Sequence, residues 1–89
     1  MQNTSHRTEK TARIHQAAEQ YAVQFERRLQ ETREKRKLSK YALEQLSGVS
    51  REMIDRIEQG KSRPTIFVIK RLAIGLGVTV SDLLTGLDG

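Results

Sequence analysis

Apolar residues in the first half of the chain recur at steps of three and four, the spacing of one helix face. They are Ile14, Ala18, Tyr21, Ala22, Phe25 and Leu29. Residues 1–47 contain no glycine or proline, and their Ala, Glu, Gln, Lys and Arg content favours helix. The pattern predicts a long helix from about Thr11 to Arg36. We expect the polar segment before it, residues 1–10, to be disordered.

After Lys37 the apolar pattern breaks into shorter helices, and each has its own start signal. Serine and threonine side chains accept hydrogen bonds from the first backbone N–H groups of a helix, so they mark the residue before it. Three such residues precede segments with helical apolar spacing, namely Ser39, Ser50 and Thr65. They predict helices over 40–47 and 51–59, and a fourth that ends near 75–77.

The ends of these helices are also marked. Gly48 and Gly60 follow the second and third predicted helices and can adopt the positive φ with which many helices end. Thr79 and Asp82 have the spacing of a capping box, which predicts a last helical turn. Since no stretch alternates with a period of two, we predict an all-α protein with five helices.

Composition narrows the class of protein. The chain has 89 residues, enough for one small domain, and no cysteine for a disulfide or a cysteine-ligated metal. Its longest apolar run, residues 66–69, is too short for a membrane span, so we expect a cytoplasmic, nucleoid-associated protein. His6 and His15 lack neighbouring ligands, and no nucleophile–base spacing or phosphate loop is recognisable. We therefore expect no enzyme activity, metal or cofactor.

Charge gives the first positive indication of a partner. Sixteen Lys and Arg stand against eleven Asp and Glu, for a formal net charge of +5. Most of the excess lies in residues 1–39, with nine basic and five acidic residues, and its densest cluster is residues 33–37. This balance favours a polyanionic partner, and nucleic acid ahead of a membrane surface.

Residues 38–60 form the most informative segment, because they predict two short helices joined by a tight glycine turn. Helices joined this closely cross steeply and bury the apolar side chains between them. We expect that buried set to be Leu43, Leu46, Val49, Ile54 and Ile57. The other face of helix 51–59 would then project as a ridge that fits the major groove of DNA. On spacing alone, a helical corner that only packs is the alternative.

A wider set of positions from Phe25 to Leu84 carries a family resemblance. It includes Leu29, Arg33, Leu38-Ser39, Leu43, Gly48-Val49-Ser50, Ile54, Ile57-Glu58, Gly60, Pro64, Leu72-Ala73, Leu76-Gly77-Val78 and Asp82-Leu83-Leu84. In this pattern the chain resembles the phage repressor/Cro (Xre-type) helix-turn-helix proteins. The resemblance implies a five-helix, repressor-like DNA-binding domain, which we place at 21–86, between an N-terminal helical extension (1–20) and a short tail (87–89).

Two positions depart from the family pattern. Glu44 stands where the family usually has Ala, so we expect its side chain to strain the helix crossing unless it points outward or pairs with an arginine. Gly75 stands where Ala is common, and we expect only a loss of helix propensity of about 1 kcal/mol.

The resemblance also implies roles for individual residues. Arg51, Glu52 and Arg56 stand where family members read base edges, and the chemistry agrees. Arginine donates to guanine O6 and N7, and a carboxylate accepts from cytosine N4. Glu52 has a second interpretation, in which it only orients Arg56. The residues expected to bind DNA phosphates are Lys40, Ser50, Lys61, Ser62 and Arg63.

Three further charged residues are expected to form ion pairs. Arg33 and Glu58 stand where the family has a buried pair between its first helix and its recognition helix, so their implied role is structural. Asp55 is expected to pair with Arg51, one helical turn earlier.

We predict a sequence-specific, double-stranded DNA-binding transcriptional regulator, a repressor, of bacterial or phage type. Two copies would bind a pseudo-palindromic site, with a contact formed by Ile66, Phe67, Val68 and Leu87. The alternative is an antitoxin that binds a protein toxin and autoregulates its operon. In that case the apolar stripe of the N-terminal extension binds the toxin. Otherwise the stripe packs on the core of the same chain or remains partly solvated.

Overall fold

The computed structural model of the chain describes residues 4–84. In that range it contains no strand and five helices: α1 (Thr4–Lys35), α2 (Lys40–Ser47), α3 (Arg51–Glu58), α4 (Ile66–Leu76) and α5 (Val80–Leu84). The predicted all-α class and the number of helices are confirmed. The predicted tail, residues 87–89, lies outside the described residues. None of the helices within residues 4–84 combines the length and apolar character needed to span a bilayer.

α1 is longer than the sequence pattern predicted. It begins at Thr4, so residues 4–10 are helical where disorder was expected. The physical reason is that nothing near Thr11 breaks the helix: the segment contains no glycine or proline. With 32 residues α1 is about 48 Å long. Its C-terminal half packs on the core through Phe25 and Leu29, whereas Ile14 on the same face is 64% exposed.

The predicted helix starts are present in the structure. The side chains of Ser39, Ser50 and Thr65 accept hydrogen bonds from the backbone N–H three residues later, at 2.9, 3.1 and 3.2 Å. Thr79 and Asp82 accept from each other's backbone N–H groups, which is the expected capping box. These caps satisfy N–H groups that no intrahelical carbonyl reaches, so the boundaries of α2 to α5 follow from local sequence.

Side chains from every helix meet in one core, formed by Phe25, Leu29, Leu43, Val49, Ile54, Ile57, Leu72, Ala73, Leu76 and Leu83. Of the five side chains expected to be buried in the α2–α3 crossing, four are buried and Leu46 is 56% exposed. The line of α2 that faces the core runs through Leu43 and Ser47, toward α4. Leu46 lies to one side of that line, so its predicted burial was wrong.

The packing of α2 on α4 depends on Gly75. A Cβ atom at this position would lie 2.8 Å from Cβ of Ser47 and 3.1 Å from Cδ1 of Leu43. Both distances are shorter than ordinary van der Waals contact. The sequence predicted only a loss of helix propensity here, but the missing side chain lets the two helices approach.

Candidate nucleic-acid interface

The turn between α2 and α3 sets the direction in which α3 leaves the core. Gly48 adopts a φ of 74°, a left-handed conformation that L side chains rarely take. Its N–H donates to the Glu44 carbonyl oxygen at 2.9 Å and closes α2. Val49 then packs into the core with only 6% exposure, and Ser50 caps α3. The turn therefore holds the two helices as one unit.

α3 has one buried face and one solvent face. Ile54 and Ile57 have no exposed surface. The three residues predicted to read bases, Arg51, Glu52 and Arg56, are all exposed on the other side of the helix. The structure thus brings these predicted residues together on one solvent face.

Arg51 lies in a defined environment on this face. Its guanidinium carbon is 5.3 Å from the centroid of the Tyr41 ring, within the range of a cation–π contact. Its Nε lies 3.8 Å from Glu44 Oε1 and 3.9 Å from Glu52 Oε2. Glu44, the departure from the family pattern, is therefore accommodated by pairing with an arginine. Tyr41 was missed at the sequence level, where an aromatic residue ten positions before Arg51 gives no sign of contact.

Glu52 and Arg56 differ in their surroundings. The Glu52 carboxylate faces Arg51, so within the described residues it does not orient Arg56. The Arg56 guanidinium is exposed and forms no ion pair with any residue from 4 to 84. Arg56 is thus available to an external acceptor.

Asp55 pairs with Lys40 rather than with Arg51, so the predicted pair was wrong. Lys40 Nζ donates to Asp55 Oδ1, and Gln59 Nε2 donates to Asp55 Oδ2 at 2.8 Å. The Lys40 ammonium, bonded to the carboxylate, holds the pKa of Asp55 below its ordinary value. The pair joins the start of α2 to the flank of α3, and it engages a lysine that was expected to bind phosphate.

The loop after α3 carries three of the predicted phosphate ligands, and they have different surroundings. Lys61 is exposed, and its ammonium has no ion pair within the described range. The Ser62 hydroxyl is half-buried and donates to Met53 Sδ at 3.5 Å. Arg63 donates to both carboxylate oxygens of Glu19 in α1, and this contact lowers the pKa of Glu19.

Arg33 and Glu58 form a buried ion pair between α1 and α3. Arg33 Nε and Nη2 donate to the two Glu58 oxygens at 2.8 and 3.0 Å, and Nη1 donates to the Leu38 carbonyl oxygen at 2.8 Å. The side chains are only 10% and 4% exposed, and Glu58 raises the pKa of Arg33. The pair ties α1, the α1–α2 turn and α3 together, which is the structural arrangement that the resemblance implied.

In a comparison with known protein families, residues 29–83 match the helix-turn-helix family, and this segment is more than half of the chain. The matched segment begins in α1, ends in α5 and includes the α2–Gly48–α3 unit described above. No curated protein and no solved structure matches the chain. The chain belongs to the Xre/Cro-type helix-turn-helix family and is a DNA-binding helix-turn-helix regulator.

Proposed function

We propose that the protein is a sequence-specific, double-stranded DNA-binding transcriptional repressor that inserts α3 into the major groove. The observation that carries this proposal is the two-sided character of α3. Its inner face is fixed in the core by Ile54 and Ile57, whereas Arg51, Glu52 and Arg56 project together into solvent. A helix held by its inner face presents its outer side chains in a fixed register, as base reading requires.

The base-reading chemistry follows from these three side chains. Arg51 and Arg56 each supply a planar fork of N–H donors that matches guanine O6 and N7. Glu52 repels phosphate, so in the complex it belongs over base edges, where a carboxylate accepts from cytosine N4. The Tyr41 ring restricts Arg51, which reduces the conformational entropy that its fork loses on binding.

The proposed phosphate contacts fall into two groups. Lys61 and Ser50 are exposed, and Ser50 lies at the N-terminus of α3, where the helix dipole favours an anion. Lys40 and Arg63 are ion-paired with Asp55 and Glu19. They reach a phosphate only after exchanging the carboxylate, and Ser62 only after leaving Met53. We therefore assign most of the sequence-independent affinity to the first group.

We further propose that two copies bind a pseudo-palindromic operator, because one module of this size covers little DNA. Ile66 and Phe67, at the start of α4, are 70% and 63% exposed and supply an apolar surface for the contact between copies. Val68, also predicted there, is half-buried, and Leu87 lies outside the described residues.

Competition binding tests which residues read bases and which contact phosphates. Replacing Arg51 or Arg56 by Ala should cost about 1–3 kcal/mol on the cognate site and relax base preference at one position of each half-site. Replacing Lys61 by Ala should weaken cognate and random DNA alike and lower the slope of log K against log salt by about one per subunit. Uniform losses for the arginine variants, with a changed base preference for Lys61→Ala, would contradict this assignment. Footprinting on the DNA that flanks its own gene would supply the cognate site.

An antitoxin is the second candidate, and one feature favours it. An apolar groove of about 250 Å³ runs between α1 and the loop after α3, lined by Ala18, Ala22, Phe25, Pro64, Ile69 and Leu84 among others. Ile14 extends this apolar surface along α1 with 64% exposure. In an antitoxin this surface would bind a toxin helix or strand. Co-purification of a second small protein with the wild type, and its loss from an Ile14→Asp variant that still binds DNA, would favour this candidate.

A further inference from the structure

DNA backbones border the major groove on both sides, so a helix in the groove meets phosphates on both of its flanks. One ligand for these phosphates is the exposed Lys61, in the loop after α3. On the flank of α3 that carries Asp55 and Glu58, the cation expected from α2 was Lys40. Lys40 is paired with Asp55, so α2 leaves no unpaired cation on this flank.

The α1–α2 turn lies along the flank of α3 that carries Asp55 and Glu58. Arg33 links the Leu38 carbonyl oxygen to the Glu58 carboxylate through bonds of 2.8 to 3.0 Å. Lys40 is bonded to Asp55, one turn of α3 before Glu58. These two connections hold residues 38–40 against the edge of α3. Lys37 immediately precedes this segment.

Lys37 has an unusual backbone for its residue type. Its φ is 58°, and the other described residues with positive φ are all glycines. Its N–H donates to the Glu34 carbonyl oxygen at 2.9 Å and closes the end of α1. Glycine is favoured at such a helix end because a Cβ is disfavoured there. The backbone at this position therefore favours glycine, and a lysine is unusual there.

The Lys37 side chain is exposed and forms no ion pair or hydrogen bond with the side chains that the structure describes, those of residues 9–20 and 22–84. Its neighbour Arg36 points elsewhere, since Arg36 Nη1 lies 3.3 Å from the place where a Cβ of Gly77 would be. We propose that Lys37 binds a DNA backbone phosphate on the flank of α3 that carries Asp55 and Glu58. This assignment rests on the proposed function, because it requires α3 in the major groove.

The variant Lys37→Gly separates binding from folding. Glycine suits the positive φ, so the melting temperature should stay the same or rise, while the phosphate ligand is lost. Affinity for cognate and random DNA should fall alike, by roughly two- to fivefold per subunit, the range for an exposed ion pair. The slope of log K against log salt should decrease by about one per subunit. Lys37→Arg should retain both affinity and slope.

Lys10→Ala is the matched control, because it removes an exposed lysine of α1 that lies about 38 Å from Lys35, the last residue of that helix. It should leave the salt slope unchanged. The inference is overturned if wild type binds its cognate site, and Arg56→Ala relaxes base preference, but Lys37→Gly keeps the wild-type slope. It is equally overturned if Lys37→Gly changes base preference instead of lowering affinity uniformly. Absence of sequence preference in the wild type would instead contradict the proposed function.

Discussion

At the scale of single residues, ion pairs divide the basic side chains around α3 into two groups. Lys40 and Arg63 are held by Asp55 and Glu19, and Arg51 lies within ion-pair distance of Glu44 and Glu52. Arg56 and Lys61 form no ion pair within the part of the chain that the structure describes. A paired cation must exchange its carboxylate for a phosphate, so it adds less to DNA affinity than an unpaired one. The net charge of +5 therefore does not give the number of cations available to DNA.

The variant Asp55→Asn tests this division. It releases Lys40 while the amide can still accept from Gln59, so affinity for random DNA should rise. The slope of log K against log salt should become steeper by about one per subunit, because Lys40 now releases a counterion. Titrations at several salt concentrations measure both. Glu31→Gln, which neutralises an exposed carboxylate of α1, is the control for the change in net charge. Equal effects of the two variants would contradict a specific release of Lys40.

The pH dependence of the same pair follows from the Asp55 pKa. Lys40 lowers that pKa in the folded protein, so the pair stabilises the fold at pH values above the ordinary Asp pKa of about 3.9. The stabilisation is lost as pH falls through the lowered folded value. The difference in melting temperature between wild type and Asp55→Asn should therefore be present at pH 7 and shrink below about pH 4. If the difference in melting temperature stays constant across this pH range, the Lys40–Asp55 pair is not its cause.

Residue-scale features differ in how far the sequence predicts them. Exposure of Arg51, Glu52 and Arg56 follows from helical periodicity once Ile54 and Ile57 are placed inside. The ionic partners do not follow in this way. Asp55 has basic residues within reach on two helices, and the fold selects Lys40, fifteen positions earlier, over Arg51. Long-range packing makes this choice, so local spacing cannot.

At the scale of elements, the Arg33–Glu58 pair connects α1 to α3. Its side chains are almost fully buried, so removing one partner leaves an uncompensated charge. Glu58→Ala should lower the free energy of unfolding by about 3–5 kcal/mol. Arg33→Ala should lower it further, because the Leu38 carbonyl also loses its donor. Urea denaturation measures these changes, with Glu34→Ala as a control on the exposed neighbour, expected within about 0.5 kcal/mol of wild type. Losses that small for the buried pair would contradict its structural role.

The close approach of α2 and α4 at Gly75 predicts that a better helix former at this position lowers the stability of the protein. Gly75→Ala improves helix propensity by about 1 kcal/mol, yet its Cβ would lie 2.8 Å from Cβ of Ser47. Overpacking of this kind costs about 1–3 kcal/mol, so we expect net destabilisation in urea denaturation. Ser47→Gly in the same chain removes the clashing atom and should recover part of the loss, which a double-mutant cycle measures as coupling. A Gly75→Ala variant more stable than wild type would contradict the close approach.

At the scale of the whole molecule, the sequence predicts what local chemistry controls. The caps at Ser39, Ser50 and Thr65 and the turn at Gly48 fix the boundaries of the short helices, so these could be read from residue types. The burial of Leu46 and the role of Gly75 depend on which face α2 turns to α4. That orientation is a property of the packed molecule. The start of α1 was missed for a different reason, since no sequence signal marks it.

Assembly on DNA gives the last prediction. Ile66 and Phe67 are exposed in the single chain, so replacing Phe67 by Asp should leave the melting temperature close to that of wild type. If α4 joins two copies, the variant should occupy single half-sites with much reduced affinity. Wild type should protect two half-sites with centres about 34–36 Å apart, one turn of DNA. Footprinting measures which half-sites are protected, and the stoichiometry of the complex gives the number of copies bound. Ile14→Asp, an equally exposed apolar residue on α1, is the matched control and should keep the two-site footprint. If Ile14→Asp rather than Phe67→Asp separates the copies, the contact between them lies on α1 and the assignment to α4 is wrong.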